Sequence, residues 1–456
     1  MKRALPVADT VRLSAREALA AVTDPGTFTE LPAPDGTYAP DGPLSWDGYD
    51  AARAWATART GEAESVVCGT ASVGGTRAVL VSFEFGFLGG SLGERTGDRI
   101  EAAYTFARAH RLPVVPLVAT GGSRMQEGMR ALVQLQRVAR QSALTREAGL
   151  AQVAVLRDPT TGGGWATLGA GADVILALES AQVGFAGSRV RPADADPAAY
   201  SARGQFAAGA VDAVVRHDDV AGTLAGWLRL LTRPSDDPAP VPYALGRGDL
   251  PATGRDAVRR ARAGERPRAD AYLDAYFTSR VTVGGDRCGG TDDGVLCGFG
   301  ESARDGRTVA YAAQLGTATR PAGYRTAARL VRLAGRLGVP VLTLVDTPGA
   351  ANDAEAERSG AGAAIADLFT ALAASPVPVT TLVVGEGGSG GALALAAPEN
   401  TWATPDSYFS VIAPELAAAI LKRDPDETDA TADQLHLKPQ DLVDLGVVRG
   451  IAGTAP

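Results

Sequence analysis

Cysteine is almost absent from this 456-residue chain, which has only Cys68, Cys288 and Cys297. Three scattered thiols exclude a disulfide scaffold and a four-cysteine zinc site, and they suit a reducing cytoplasm. Histidine is equally scarce. None of His110, His217 and His436 lies in a glycine-rich turn, so a Ser-His-Asp or Cys-His nucleophile has no evident base. Long apolar runs are missing too: residues 377–384, interrupted by two threonines, are strand-length and far short of a membrane span. Lys2 and Arg3 are soon followed by Asp9, Arg12 and Arg16, which break the apolar core that a signal peptide needs. A basic surplus is also lacking. With 44 Lys and Arg against 52 Asp and Glu, the net charge of -8 opposes nucleic acid as a main partner.

What is present is an ordinary folded composition, 45% hydrophobic and 21% charged, on a chain long enough for two cores. Residues 79–85 form an apolar run that enters a turn rich in glycine (Gly86, Gly89, Gly90, Gly93), and a helix is predicted over about 97–110. A strand over 113–120 then meets Gly121-Gly122, followed by a helical pattern over 125–140. The same unit recurs at 152–159 with Gly162-Gly163-Gly164, ahead of another strand at 173–178. The second half repeats this grammar at 339–349, 360–374 and 377–391. Gly349 lies 228 residues after Gly121, and Gly387 lies 225 after Gly162, so paired turns return at nearly one offset and an internal duplication is expected. Alternating strands and helices predict an α/β fold with parallel strands joined by right-handed crossovers. Pro234, Pro238, Pro240, Pro242 and Pro251 mark residues 234–251 as an exposed linker between domains spanning 1–233 and 252–456.

A glycine pair between strand and helix lets backbone N–H groups converge without a Cβ in the way, and the helix N-terminus adds positive potential. Such a turn can hold an oxyanion, and each preorganised donor is typically worth about 3 kcal/mol in a transition state. The plainer reading, tight packing of helix on strand, suffices for one turn but less well for four. The stretch Gly385 to Ala392 (GEGGSGGA) shares glycine richness with dinucleotide loops, yet no acid some twenty residues on is placed to hold a ribose. Glu127 and Glu386 adjoin the turns and are candidate acids or bases, although helix N-terminal pairing explains Glu127 equally well. Arg124 and Arg189 are candidates for binding phosphate or carboxylate, against the commoner role of a surface ion pair.

The words FEFGFLGGSLG (83–93), ATGGSRMQEG (119–128), DPTTGGG (158–164) and VGFAGSRV (183–190) resemble the β subunit of bacterial acetyl-CoA carboxylase carboxyltransferase. GDR (285–287), the stretch 323–350 ending LVDTPGA, GEGGSGGALAL (385–395) and YFSVIAPE (408–415) resemble its α subunit. The resemblance implies two crotonase-like domains (ClpP/crotonase, ββα-spiral) in tandem, β-like then α-like. It implies transfer of a carboxyl group from carboxybiotin to the α-carbon of an acyl-CoA of the acetyl or propionyl type, with no side-chain base. By position, Gly121, Gly122, Gly163 and Gly164 would face the acyl thioester carbonyl, and Gly349, Ala350, Gly387 and Gly388 the biotin ureido carbonyl. Gly89, Gly90, Ser91, Arg124, Ala186, Gly187, Arg189 and Gln314 would complete substrate binding.

The resemblance also implies a separate biotin carboxyl carrier protein and biotin carboxylase as partners. A homodimer or larger homo-oligomer is implied, with the α-like half of one protomer meeting the β-like half of another. No metal is expected, since nothing like the family's zinc ribbon precedes residue 12. Two departures stand out. Arg320 is the one basic residue between Gly316 and Gly323, where the family carries a basic loop, and Ala351-Asn352-Asp353-Ala354 lacks the family's aromatic and glycine wording. They leave two alternatives open: a biotin-independent decarboxylase or acyl-transfer enzyme acting on malonyl-type thioesters, and an inactive scaffold.

Overall fold

Val114–Thr120 (VVPLVAT) and Val341–Thr347 (VLTLVDT) are buried at every position, as central strands covered on both faces must be. The computed structural model describes residues 12–455, so Lys2, Arg3 and Asp9 lie outside the described residues. The chain divides between Thr232 and Arg233 into two compact units, each built on an eight-stranded mixed sheet around one of these strands. In the first unit an antiparallel hairpin, Val66–Val73 with Thr76–Phe83, leads into parallel strands Val114–Thr120, Val153–Thr161 and Val174–Leu178. In the second, the hairpin Val295–Ser302 with Thr308–Gln314 leads into Val341–Thr347, Val379–Gly388 and Thr401–Ala403.

Helices supply the crossovers. Glu94–His110 and Gln134–Glu147 connect the first set of parallel strands, and Pro321–Leu337 and Ala361–Ala373 the second. Pro321 sits in the first turn, where its missing N–H costs nothing, and Gly338 ends the helix in the left-handed conformation at φ +69°. The segment expected as one helix over 125–140 is broken. A 3-10 turn at Met125–Glu127 and the short helix Gly128–Leu132 precede Gln134–Glu147, with Gly128 at φ +51° marking the break.

The registers resolve the two approximate offsets into one. Leu117 pairs with Val155 and Leu344 with Leu382, and both pairs stand 227 residues apart. Each central pairing slips at the same point, between Val118 and Thr120 in one sheet and between Val345 and Thr347 in the other. Thus Gly349 corresponds to Gly122 rather than Gly121, and Ser389 to Gly162. The earlier values straddled 227 because each paired glycines one or two places out of register.

The proline-rich segment, exposed over much of its length, is anchored to the second unit at buried points. Ala239 and Ala244 are buried in the core of the second unit beside Tyr272, Leu342 and Leu382. The Tyr276 hydroxyl donates to the Pro240 carbonyl (3.0 Å), and the Thr380 hydroxyl to that of Ala239 (2.8 Å). Proline here straightens a strap that packs onto a core. Among the described residues no helix is long and apolar enough to cross a membrane.

Ala239→Asp places an unpaired carboxylate in that core and is expected to lower the thermal midpoint by about 5 °C or more. Asp237→Ala, two residues away on an 81% exposed side chain, should leave the midpoint within about 1 °C; calorimetry of both variants checks the packing.

Candidate functional site: two equivalent glycine turns

In each unit the central strand ends in a threonine that folds the chain back on itself. The Gly122 N–H donates to Thr120 Oγ1 (3.0 Å), and the Gly349 N–H to Thr347 Oγ1 (3.1 Å). These two glycines adopt φ +110° and +141°, which a side chain strongly disfavours. A preceding loop then pairs with the turn. Leu92 donates to the Gly122 carbonyl (2.9 Å) and accepts from Arg124 N–H (2.8 Å); Thr319 does the same with Gly349 (3.0 Å) and Ala351 (2.9 Å). Between these bonds, the N–H groups of Ser123 and Ala350 have no partner among the described residues.

The next strand brings a second turn against the first. A Cβ on Gly162 would lie 3.1 Å from the Gly122 Cα, and one on Gly388 would overlap the Pro348 carbonyl. Gly162 (φ +62°) and Ser389 (φ +58°) then open short helices, whose first-turn N–H groups at Gly163-Gly164 and Gly390-Gly391 have no preceding helical carbonyl to bond. Each unit therefore assembles one unpartnered turn N–H and one helix start at the end of its central strands.

This geometry revises several expectations. The Gly121 N–H donates to the Gly89 carbonyl (2.9 Å) and that of Gly122 to Thr120, so neither is available to a ligand; Ser123 carries the available donor. Gly387 and Gly388 lie within strand Val379–Gly388, and the positions equivalent to Gly163 and Gly164 are Gly390 and Gly391. Ala350 is the position equivalent to Ser123. Sequence reasoning missed Ser123, Gly390 and Gly391, although matching Thr120-Gly121-Gly122-Ser123 to Thr347-Pro348-Gly349-Ala350 would have found them.

Arg124 is not a substrate contact. Its side chain is fully buried and pairs with Glu64 (2.7 Å) and Glu127 (3.4 Å), while its Nε donates to Ser91 Oγ (3.2 Å). Burial pushes the Glu64 carboxyl up, but the charge and hydrogen bonds of Arg124 prevail and hold it at about 2. Glu127 is buried too, accepting from the Tyr49 hydroxyl and the Glu94 N–H, so it is no free base. Ser91 belongs to this network. Gly89 (φ +69°) and Gly90 (φ +62°) shape the loop, and a Cβ on Gly90 would overlap the Ala119 carbonyl.

Gln314 is likewise buried, its Nε2 bonded to Thr319 Oγ1 (3.1 Å) and the Gly391 carbonyl (3.3 Å). Glu386 accepts from the Tyr408 hydroxyl (2.7 Å) and Arg262 (3.1 Å). Beneath the second turn, Asp346 receives Arg266 on both oxygens (2.6 and 2.7 Å) and the Glu386 N–H (3.2 Å).

Arg189 is exposed and makes no ion pair among the described residues. With Arg12, Arg59, Phe85, Gly89 and Gln126 it lines a cleft of about 730 Å³ beside the first turn. Ala186 and Gly187 are half-buried on the loop leading to it. In the second unit Ser389 and Gly390 border a cavity of about 370 Å³ lined by Phe409, Val411 and Leu445. His436, an exposed residue, also lines this cavity, while His110 bonds the Phe106 carbonyl through Nδ1 (2.9 Å).

Two tandem α/β units with matched glycine turns form a carboxyltransferase architecture. Residues 13–214 match the model of the carboxyl transferase domain, and 252–453 that of the acetyl co-enzyme A carboxylase carboxyltransferase-like family. The chain is 39% identical over 472 residues to the acetyl-coenzyme A carboxylase carboxyl transferase subunits beta/alpha of Salinispora arenicola, covering 96% of this chain and 82% of the relative. It is 33% identical to a probable biotin-dependent acyl-coenzyme A carboxylase beta3 subunit of Mycobacterium bovis, over 90% of this chain and 84% of that one. The crystal structure of transcarboxylase 12S superposes with a TM-score of 0.79 at 22% identity, covering 96% and 86% of the two chains, which is a likeness of fold. The chain belongs to the acetyl-CoA carboxylase carboxyltransferase family, in the form that carries β and α portions on one polypeptide.

Arg124→Met leaves Glu64 charged and buried, and is expected to cost about 3–5 kcal/mol in urea unfolding, whereas Arg189→Ala should stay within about 0.5 kcal/mol. Because the Glu64 pKa is depressed when folded, its stabilisation is present above the unfolded value of about 4.3 and is lost as pH falls towards 2. Glu64→Gln should therefore flatten the fall in stability across that window.

Proposed function

We propose that this chain transfers a carboxyl group from carboxybiotin, held on a separate carrier protein, to the α-carbon of an acyl-CoA of the acetyl or propionyl type. The observation that carries this reading is the pair of unpartnered N–H groups, on Ser123 and Ala350, at equivalent places in the two units. Each stands on a turn pressed against a helix start, so each unit offers preorganised donors to one carbonyl oxygen. A transfer between two carbonyl compounds that both gain negative charge on oxygen needs two such sites and no side-chain base, in keeping with the engaged Glu127 and Glu386.

In the first unit, the Ser123 N–H and the first-turn N–H groups of Gly163-Gly164 would bind the thioester carbonyl and stabilise its enolate. Arg189 lines the adjoining cleft and offers its guanidinium to the CoA phosphates, beside Arg12, which is paired with Asp158 (2.9 Å), and Arg59, which bonds the Gly86 carbonyl. In the second unit, the Ala350 N–H and those of Gly390-Gly391 would orient the ureido carbonyl. The residues fit that group, because Gly390 borders a cavity with the apolar walls Phe409, Val411 and Leu445. Carboxybiotin supplies the carboxyl group as CO2 and, after losing it, the base that takes the acyl α-proton. A homo-oligomer working in the cytoplasm with a biotin carboxyl carrier protein and a biotin carboxylase completes the proposal.

The test is malonyl-CoA decarboxylation by the purified chain, with and without free biotin, in Gly122→Val and Gly390→Val variants. Valine at 122 meets φ +110° beside the first site. At 390 a Cβ meets nothing within 4 Å, so that fold should persist while the side chain crowds the second site. Losing one donor costs about 3 kcal/mol, so biotin-dependent turnover should fall about a hundredfold in each folded variant. A folded Gly390→Val chain with undiminished turnover would instead favour biotin-independent decarboxylation at the first site. A wild-type chain inert with every CoA thioester would favour the scaffold.

A further inference from the structure

The two sites share a backbone but not the side chains behind it. The Gly391 carbonyl accepts from both the Tyr324 hydroxyl (3.1 Å) and Gln314 Nε2 (3.3 Å). The same Gln314 nitrogen donates to Thr319 Oγ1 (3.1 Å), and Thr319 is the residue whose backbone brackets Ala350. A Cβ on Gly391 would fall on the Ala350 nitrogen and lie 2.6 Å from the Tyr324 hydroxyl. Two buried side chains thus fasten together the loop, the turn and the helix start that make the second site. Gln314, Thr319 and Tyr324 are each 1% exposed.

The first unit answers the same need with apolar groups. Gln314 ends its hairpin opposite Val295 as Phe83 does opposite Val66, while Thr319 and Tyr324 correspond to Leu92 and Gly97. Phe83 and Leu92 are fully buried. The Thr167 hydroxyl bonds the Gly163 carbonyl (2.8 Å), but among the described residues no side chain of the first unit fastens the Gly164 carbonyl, the equivalent of Gly391. The second unit fastens its own at a cost, since Gln314 Oε1 is buried with no partner among the described residues.

We propose that Gln314 and Tyr324 are positioning residues for the second site. They hold Gly391 against Ala350 so that the N–H groups of Ala350 and Gly390 aim at one oxygen, and they thereby set the affinity of that site for a cyclic urea carbonyl. This rests on the biotin-side reading of the second site.

The test uses Tyr324→Phe and Gln314→Leu in the intact chain, with biocytin as the probe and malonyl-CoA as the second substrate. Each variant should raise the KM for biocytin by about tenfold, the effect of one lost hydrogen bond, while the KM for malonyl-CoA stays within about twofold. Gln314→Leu should melt no lower than wild type, because the unpaired acceptor goes with the amide. Hydrogen exchange without ligand supplies a reading independent of biotin: peptides covering 349–353 and 389–395 should exchange faster in both variants, and 118–126 should not. Unchanged exchange at the second site, or an equal rise in both KM values, overturns the positioning role. Faster local exchange in a chain whose wild type shows no biocytin dependence upholds the brace and overturns the biotin reading.

Discussion

Where strand Val114–Thr120 ends, Gly162 lies so near Gly122 that a Cβ would stand 3.1 Å from the facing Cα; in the second unit Gly388 presses on the Pro348 carbonyl. This approach of one turn to another is the constraint around which both units are arranged. It needs adjacent parallel strands that end at the same level, so the pairing slips at Val118 and again at Val345 to deliver both chains to one point. It also needs a third segment, at Leu92 or Thr319, to satisfy the turn on its outer side. Once those bonds are made, one N–H remains. The donor proposed to hold an oxyanion is the one left over when tight turns have paired everything else.

Behind this common backbone the units bury different charges. The first sets Arg124 against Glu64 and Glu127 beside its turn, and the second sets Arg266 against Asp346 beneath its own. Both pairs are buried, and each fixes main chain. Arg124 ties Glu64 to the Ser91 carbonyl (2.9 Å), and Asp346 joins the end of one strand to Glu386 on the next (3.2 Å). Buried pairs like these contribute little net stability relative to apolar packing of equal volume, but removing one partner is severe. Their value lies in specifying where the strand ends sit.

The central parallel strands, the crossover helices and the family were readable in the sequence, because apolar runs and glycine words are local signals; the antiparallel hairpins that precede them were not. What escaped depended on register. Gly121 and Gly122 look alike in a string of letters, and only the hydrogen bonds to Gly89 and Thr120 show that both N–H groups are spent. Arg124 read as a ligand for anions because a buried arginine needs two carboxylates from elsewhere, and Glu64 lies sixty residues away. The prolines at 234–251 read as a linker for the same reason. Proline predicts an extended path, but whether that path is solvated depends on the core it crosses, here Leu342 and Leu382.

Ser389 shows how firmly the site geometry is imposed. Its counterpart Gly162 adopts φ +62° without steric penalty, but Ser389 takes φ +58°, which disfavours a residue with a Cβ by about 1–2 kcal/mol. Local preference would move it to negative φ and swing the following peptide away from Ala350. It cannot do so, because Gly388 is wedged on Pro348 before it and the Gly391 carbonyl is held by Tyr324 and Gln314 after it. With both neighbours fixed, the intervening φ is determined by chain closure and not by residue type. The aim of the Gly390 N–H is therefore set by packing on either side of the turn, which is why the two units keep one backbone geometry while differing at the residue that opens the helix.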